Sequence, residues 1–163
     1  MEFTELDYKK ALEFSTLKHS GQYRKGGQPY ITHPIAVSEM LKERGFGIDY
    51  QIAGLFHDLL EDTDAAEAEI KALSNMEVVE AVKLLTKQPG YVMAEYIKGI
   101  KQNEMAFAVK AADRLHNLRC SFEADENFRR KYIAETQRWY MDFSAEIPQA
   151  LQAVIDSLEE KQG

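Results

Sequence analysis

Apolar residues recur along this chain every three to four positions, and no run alternates with period two for long enough to make a convincing strand. The stripes run through Ile52, Leu55, Phe56, Leu59 and Leu60, through Val78, Val79, Val82 and Leu85, and through Tyr96, Ile97 and Ile100. They continue at Met105, Val109, Ala112 and Leu115, at Tyr132, Thr136, Trp139 and Phe143, and at Ile147, Leu151, Val154 and Leu158. Helices patterned this way must each bury one face against a neighbour, so the expected fold class is all-α. A compact bundle of roughly seven to nine helices follows from usual helix and loop lengths. At 163 residues, with neither repeat nor linker, positions 1–163 are expected to form a single domain.

The punctuation supports this reading. Thr4 can cap a first helix with Asp7 three residues later, while Phe3 and Tyr8 stand at hydrophobic-staple spacing. Gly21 would end it. Residues 22–33 hold Gly26, Gly27 and Pro29 and lack helical period, which predicts an ordered loop. Pro34 suits the first turn of a second helix that buries Val37, Met40 and Leu41 and stops at Gly45 and Gly47. Asp49 then caps a buried helix expected to run unbroken to Asp62.

Charge narrows the chemistry. A net charge of -7 argues against a nucleic-acid duplex as partner, which would demand clustered Lys and Arg. A small phosphorylated ligand remains compatible if a metal or a few basic side chains offset the acidic field. No apolar run reaches the length of a membrane span, and the acidic start, Met1-Glu2-Phe3-Thr4-Glu5, is unlike a secretory signal, so a cytoplasmic protein is expected. The lone Cys120 excludes an internal disulfide and any cysteine-built zinc site. Metal ligands would have to be His, Asp or Glu. Oligomeric state is not encoded legibly.

Polar residues intrude where core-facing helices should be apolar. His57 and Asp58 interrupt the stripe between Phe56 and Leu59, and Glu61 and Asp62 follow; helical spacing would stack His57 with Glu61 and Asp58 with Asp62. Buried without a counter-charge, such groups would be costly, and a cation is the natural compensation. A lone His-Asp pair is also what the solvated end of a helix looks like, so company elsewhere matters. Asp113 and Asn117, four apart, intrude on a second helix, and His33 sits between the glycine-rich loop and Pro34. Together His33, His57, Asp58 and Asp113 make a reasonable octahedral divalent-metal site that favours manganese, iron or zinc over magnesium and leaves room for water and substrate. His19 and His116 are left outside it, His116 with a role in packing or hydrogen bonding to a ligand.

Three stretches carry a resemblance: His19-Ser-Gly-Gln-Tyr-Arg-Lys-Gly-Gly-Gln-Pro-Tyr-Ile-Thr-His33-Pro, Gly54-Leu-Phe-His-Asp-Leu-Leu-Glu-Asp-Thr63, and Val109-Lys-Ala-Ala-Asp-Arg-Leu-His-Asn-Leu-Arg119. In this order and spacing they resemble the hydrolase domain of the RelA/SpoT family, from about Ala11 to Phe143, with Tyr132-Ile-Ala-Glu-Thr-Gln-Arg-Trp-Tyr140 similar to the helix that closes it. The resemblance implies an HD-domain bundle acting as a stand-alone small alarmone hydrolase, a metal-dependent enzyme removing the 3′-pyrophosphate of ppGpp or pppGpp. It implies manganese held by His33, His57, Asp58 and Asp113, catalytic support from Glu61 and Asp62, and nucleotide contacts from Arg24, Lys25 and Asn117. The residue types agree with those roles, since a guanidinium can stack on a purine or fork onto phosphate and lysine supplies a compact positive charge.

The chain departs from the family pattern at Gly26, where serine is usual, and at Cys120, where threonine is usual. Neither is a metal ligand, and both changes bear on base recognition or on hydrogen bonding to the substrate. Two other readings share many of these residues: an HD-type phosphatase for another nucleotide or 3′-phosphorylated cofactor, and a non-catalytic module that binds the alarmone. Intact His-Asp and Glu-Asp pairs favour the enzyme.

Overall fold

The computed structural model describes residues 2–160; position 1 and positions 161–163 of the expected domain lie outside the described residues. In chain order the helices are α1 (Glu5–Lys18), α2 (Thr32–Glu43), α3 (Ile48–Phe56), α4 (Leu59–Asp62), α5 (Glu67–Leu73), α6 (Met76–Leu85), α7 (Met93–Lys101), α8 (Glu104–Cys120), α9 (Glu126–Trp139) and α10 (Ile147–Glu160), with a 3-10 turn over Ser121–Glu123. The fold is all-α. Among the described residues the only extended pairing is an isolated antiparallel bridge between Tyr23 and Pro29 in the glycine-rich loop.

The first helix starts as its sequence dictates: the Thr4 side chain accepts from the Asp7 N–H, and the Asp7 carboxylate accepts from the Thr4 N–H at 2.7 Å. At the end of α2 the chain turns through Gly45 at φ 88°, a conformation that strains any residue with a Cβ. Among the described residues the α-helical segments number ten when the shortest are counted, against the expected seven to nine, for two reasons. The short α5, whose Ile70 is fully buried, has too few residues to register as a period. The other reason is a correction: the helix expected to run unbroken to Asp62 is interrupted at His57 and Asp58. Its start also differs, with Gly47 in the cap position and Asp49 inside the first turn.

Helix α8 is the centre of the bundle, touching α2, α3, α6, α7 and α10. Its buried stripe includes Met105, Val109, Ala112 and Leu115, and α10 covers one side with Ile147, Leu151, Val154 and Leu158. On the α9 side Arg114 is buried between two rings, 4.0 Å from the centroids of both Tyr132 and Tyr140, with Nη2 2.6 Å from the Glu135 carboxylate. Both terminal nitrogens of this cation are paired, Nη1 with the Thr136 hydroxyl and Nη2 with Glu135, and the two ring faces offset the charge in the core. Helices α2 and α3 pack tightly at Gly54, where a Cβ would come within 3.1 Å of Leu41 and 3.3 Å of the Ser38 backbone. That close approach sets His33 on α2 beside the end of α3.

Candidate metal centre and adjoining cavity

On a regular helix neighbouring side chains diverge by about 100°, so His57 and Asp58 could not both aim at one point. The break resolves this. Asp58 adopts φ -102° and ψ -1°, and its side chain swings so that Oδ2 lies 3.0 Å from His57 Nε2. His57 Nδ1 donates to the Gly54 carbonyl at 2.6 Å, which leaves Nε2 facing Asp58 and, at 3.5 Å, Oδ1 of Asp113 on α8. His33, in the first turn of α2, brings Nε2 to 2.8 Å from Asp113 Oδ1 and 4.0 Å from Asp58 Oδ2. All four residues proposed from sequence as ligands therefore converge.

The donor set fits a divalent cation. A neutral His57 with its hydrogen on Nδ1 turns a lone pair toward two carboxylate oxygens, and that buried Nε2 makes no hydrogen bond. Electron-rich atoms gathered this way need a positive charge among them. Burial disfavours charge on His57, yet Asp58 and Asp113 outweigh it and raise the imidazole well above its usual range. Burial likewise opposes ionisation of Asp58, but the charge on His57 holds its carboxyl down at about 2.

Each candidate ligand is held from behind, as metal-binding side chains commonly are. His33 Nδ1 lies 2.7 Å from Nδ1 of His116, whose Nε2 is 3.4 Å from Cys120 Sγ. Tyr30 donates its hydroxyl to Asp58 Oδ2 at 2.5 Å. Lys110 donates to Asp113 Oδ2 at 3.1 Å and Asn117 Nδ2 to Asp113 Oδ1 at 3.0 Å. Sequence reasoning did not single out Tyr30 or Lys110. The spacing of Lys110 three residues before Asp113 on one helical face would have found the second; nothing local marks Tyr30 as a partner of Asp58.

Glu61 and Asp62 follow on α4, with the carboxylates of Asp58, Glu61 and Asp62 within 4.8 Å of one another. The Lys87 N–H anchors Glu61 Oε1 at 2.7 Å. Partial desolvation and the nearby Asp58 and Glu61 push Asp62 up to about 6. Beyond the carboxylates a cavity of about 300 Å³ opens against Arg24, Lys25, Tyr30, Asn117, Phe128 and Tyr132. Arg24 donates to Asn117 Oδ1 at 3.0 Å, and Lys25 Nζ lies 4.3 Å from the centre of the Phe128 ring. The three residues expected to contact a nucleotide thus share one wall system, and Asn117 links it to Asp113.

The sequence profile of the HD domain matches residues 11–146. The chain belongs to the HD domain family. Among curated relatives of this HD domain, the guanosine-3′,5′-bis(diphosphate) 3′-pyrophosphohydrolase of Aquifex aeolicus is 33% identical over 142 residues, 82% of this chain and 20% of its own length. The bifunctional (p)ppGpp synthase/hydrolase SpoT of Escherichia coli is 34% identical over 133 residues, 75% of this chain and 19% of its own length. The chain spans about a fifth of the length of such relatives. A solved metazoan orthologue of SpoT, described as hydrolysing ppGpp and playing a role in starvation responses, superposes with a TM-score of 0.76 at 23% identity, covering 96% of this chain and 97% of its own. That likeness establishes the shared fold. Within the HD domain, the convergent His and Asp residues and the cavity's Arg24, Lys25 and Asn117 all fall inside the matched span.

Proposed function

We propose that this chain is a metal-dependent phosphohydrolase that removes pyrophosphate from the ribose 3′ position of guanosine alarmones, converting ppGpp or pppGpp to GDP or GTP. The observation that carries this reading is that Tyr30 and Asn117, which bond Asp58 and Asp113 of the His33, His57, Asp58 and Asp113 cluster, also line a cavity that holds Arg24 and Lys25. The names of the relatives point to the same substrate class.

In this reading positions 1–163 act as one domain in the cytoplasm, and the four side chains hold a divalent cation, with Mn²⁺ preferred for its mixed imidazole and carboxylate ligands. The bound cation supplies Lewis acidity that makes water nucleophilic near neutral pH. Glu61 and Asp62 orient the attacking water and take up its proton, Glu61 from a position fixed by the Lys87 N–H. Arg24 and Lys25 bind phosphate oxygens and offset the charge that builds as the bond to the 3′ oxygen breaks. Asn117 orients the nucleotide beside Asp113.

The test is product analysis after incubation of ppGpp with the protein and Mn²⁺. GDP and pyrophosphate should appear in equal amounts, stop on chelation and resume when Mn²⁺ is restored. Turnover in a demonstrably metal-free sample would refute the metal requirement, and preferential release of orthophosphate from nucleoside monophosphates would replace this substrate with another. Binding of ppGpp without turnover would make the chain a sensor.

A further inference from the structure

The cavity has a charged residue that phosphate binding does not explain. Glu123, at the end of the 3-10 turn, lines it together with Arg24, Lys25 and Tyr30. No hydrogen bond or ion pair among the described residues engages its carboxylate. The turn itself is held: Ser121 is buried and donates to the Leu118 carbonyl at 2.8 Å, and the N–H of buried Ala124 returns to Ser121 at 2.9 Å.

Gly26 makes room for this side chain. A Cβ at position 26 would stand 2.2 Å from Glu123 Oε2 and 2.5 Å from its Cδ, so any other residue there would displace the carboxylate. Glycine in the loop and glutamate after α8 thus form one spatial unit, 97 positions apart in the numbering.

An anionic group at this wall repels phosphate, so it must face the neutral, donor-bearing part of the ligand. Tyr30 and Asn117, which bond the candidate ligands Asp58 and Asp113, mark the metal end of the cavity. A nucleotide with its 3′ phosphate at that end extends its base away from it. Phe128 and Tyr132, stacked on each other 5.4 Å apart at 17°, with Lys25 over the first ring and Arg114 over the second, add apolar edges to this part of the wall.

We propose that Glu123 reads the purine base, accepting hydrogen bonds from the N1–H and the 2-amino group of guanine. The proposal rests on the nucleotide-hydrolase reading above and deepens it. Guanine presents those two donors side by side, matching the two oxygens of a carboxylate. Hypoxanthine keeps N1–H and lacks the amino group. Adenine presents an acceptor at N1 and opposes the carboxylate directly, whereas a glutamine amide would match it.

The experiment measures binding of GDP, IDP and ADP to the Mn²⁺-loaded protein, beside pyrophosphate release from the guanine, hypoxanthine and adenine 3′-pyrophosphate nucleotides. Wild type should bind GDP at least about tenfold more tightly than IDP or ADP, as expected for charge-assisted hydrogen bonds. E123Q should bring the GDP to IDP ratio near unity and improve ADP binding. Gly26→Ser, which expels the carboxylate while retaining it in the chain, should also erase the ratio. Equal binding of GDP and IDP by wild type, or an unchanged ratio in E123Q, overturns the proposal. Discrimination that depends on Glu123 without pyrophosphate release would sink the hydrolase reading and leave Glu123 as the base reader. Pyrophosphate release with a ratio indifferent to E123Q does the reverse.

Discussion

Asp58 and Asp113 touch both candidate imidazole ligands, whereas Glu61 and Asp62 stand one helical turn aside, and this geometry separates their roles. Replacing Asp58 or Asp113 by alanine should empty the metal site; replacing Glu61 or Asp62 should leave metal bound and reduce the rate of the chemical step. Metal content measured beside single-turnover rates checks this, and loss of metal in Glu61→Ala would dissolve the division. In the proposed reading Arg24 binds the nucleotide through charged hydrogen bonds, so Arg24→Ala should lower kcat/KM for ppGpp by the equivalent of about 1.5–3 kcal/mol with metal content unchanged. A loss of metal in that variant would reassign Arg24 to supporting the Asn117 and Asp113 pair. The cluster of His33, His57, Asp58 and Asp113 was legible in the sequence because His and Asp on core-facing helices contradict their apolar surroundings. Tyr30 was not, since its reason for being there is Asp58, 28 positions away, and tyrosine in a loop contradicts nothing. Glu123 was hidden for the same reason: a surface glutamate acquires meaning only from what stands opposite it.

At the scale of elements, the helices were readable wherever a stripe was long enough to show its period, as in α6, α8 and α10. The interruption between α3 and α4 was not, because Leu55, Phe56, Leu59 and Leu60 keep helical spacing straight through it; only the demands of two adjacent side chains on one point reveal the break. The junction of α2 and α3 gives a sharper test. Gly54 faces the Ser38 backbone, which cannot yield as a flexible side chain would. Gly54→Ala should therefore cost about 1–3 kcal/mol in denaturant unfolding, the usual penalty for overpacking, and should also loosen His57, whose Nδ1 depends on the Gly54 carbonyl. A stability equal to wild type would mean that α2 slides to accept the methyl group.

Across the whole molecule, the candidate ligands come from α2, from the α3–α4 junction and from α8, so a bound cation fastens three segments together. Metal at a free concentration about 100 times its dissociation constant should add about 2.7 kcal/mol to stability and raise Tm by about 5–10 °C at this chain length. Calorimetry with and without Mn²⁺ measures it, and the increment should vanish in Asp113→Ala. That segment order also governs when the candidate site is assembled during synthesis of the chain. A nascent chain leaving the ribosome presents His33, His57 and Asp58 early and Asp113 much later, on the helix against which the others must dock. Folding proceeds from the amino end as the chain emerges, yet the candidate cluster closes only with α8, so under the proposed reading a polypeptide that stops before α8 would lack the site.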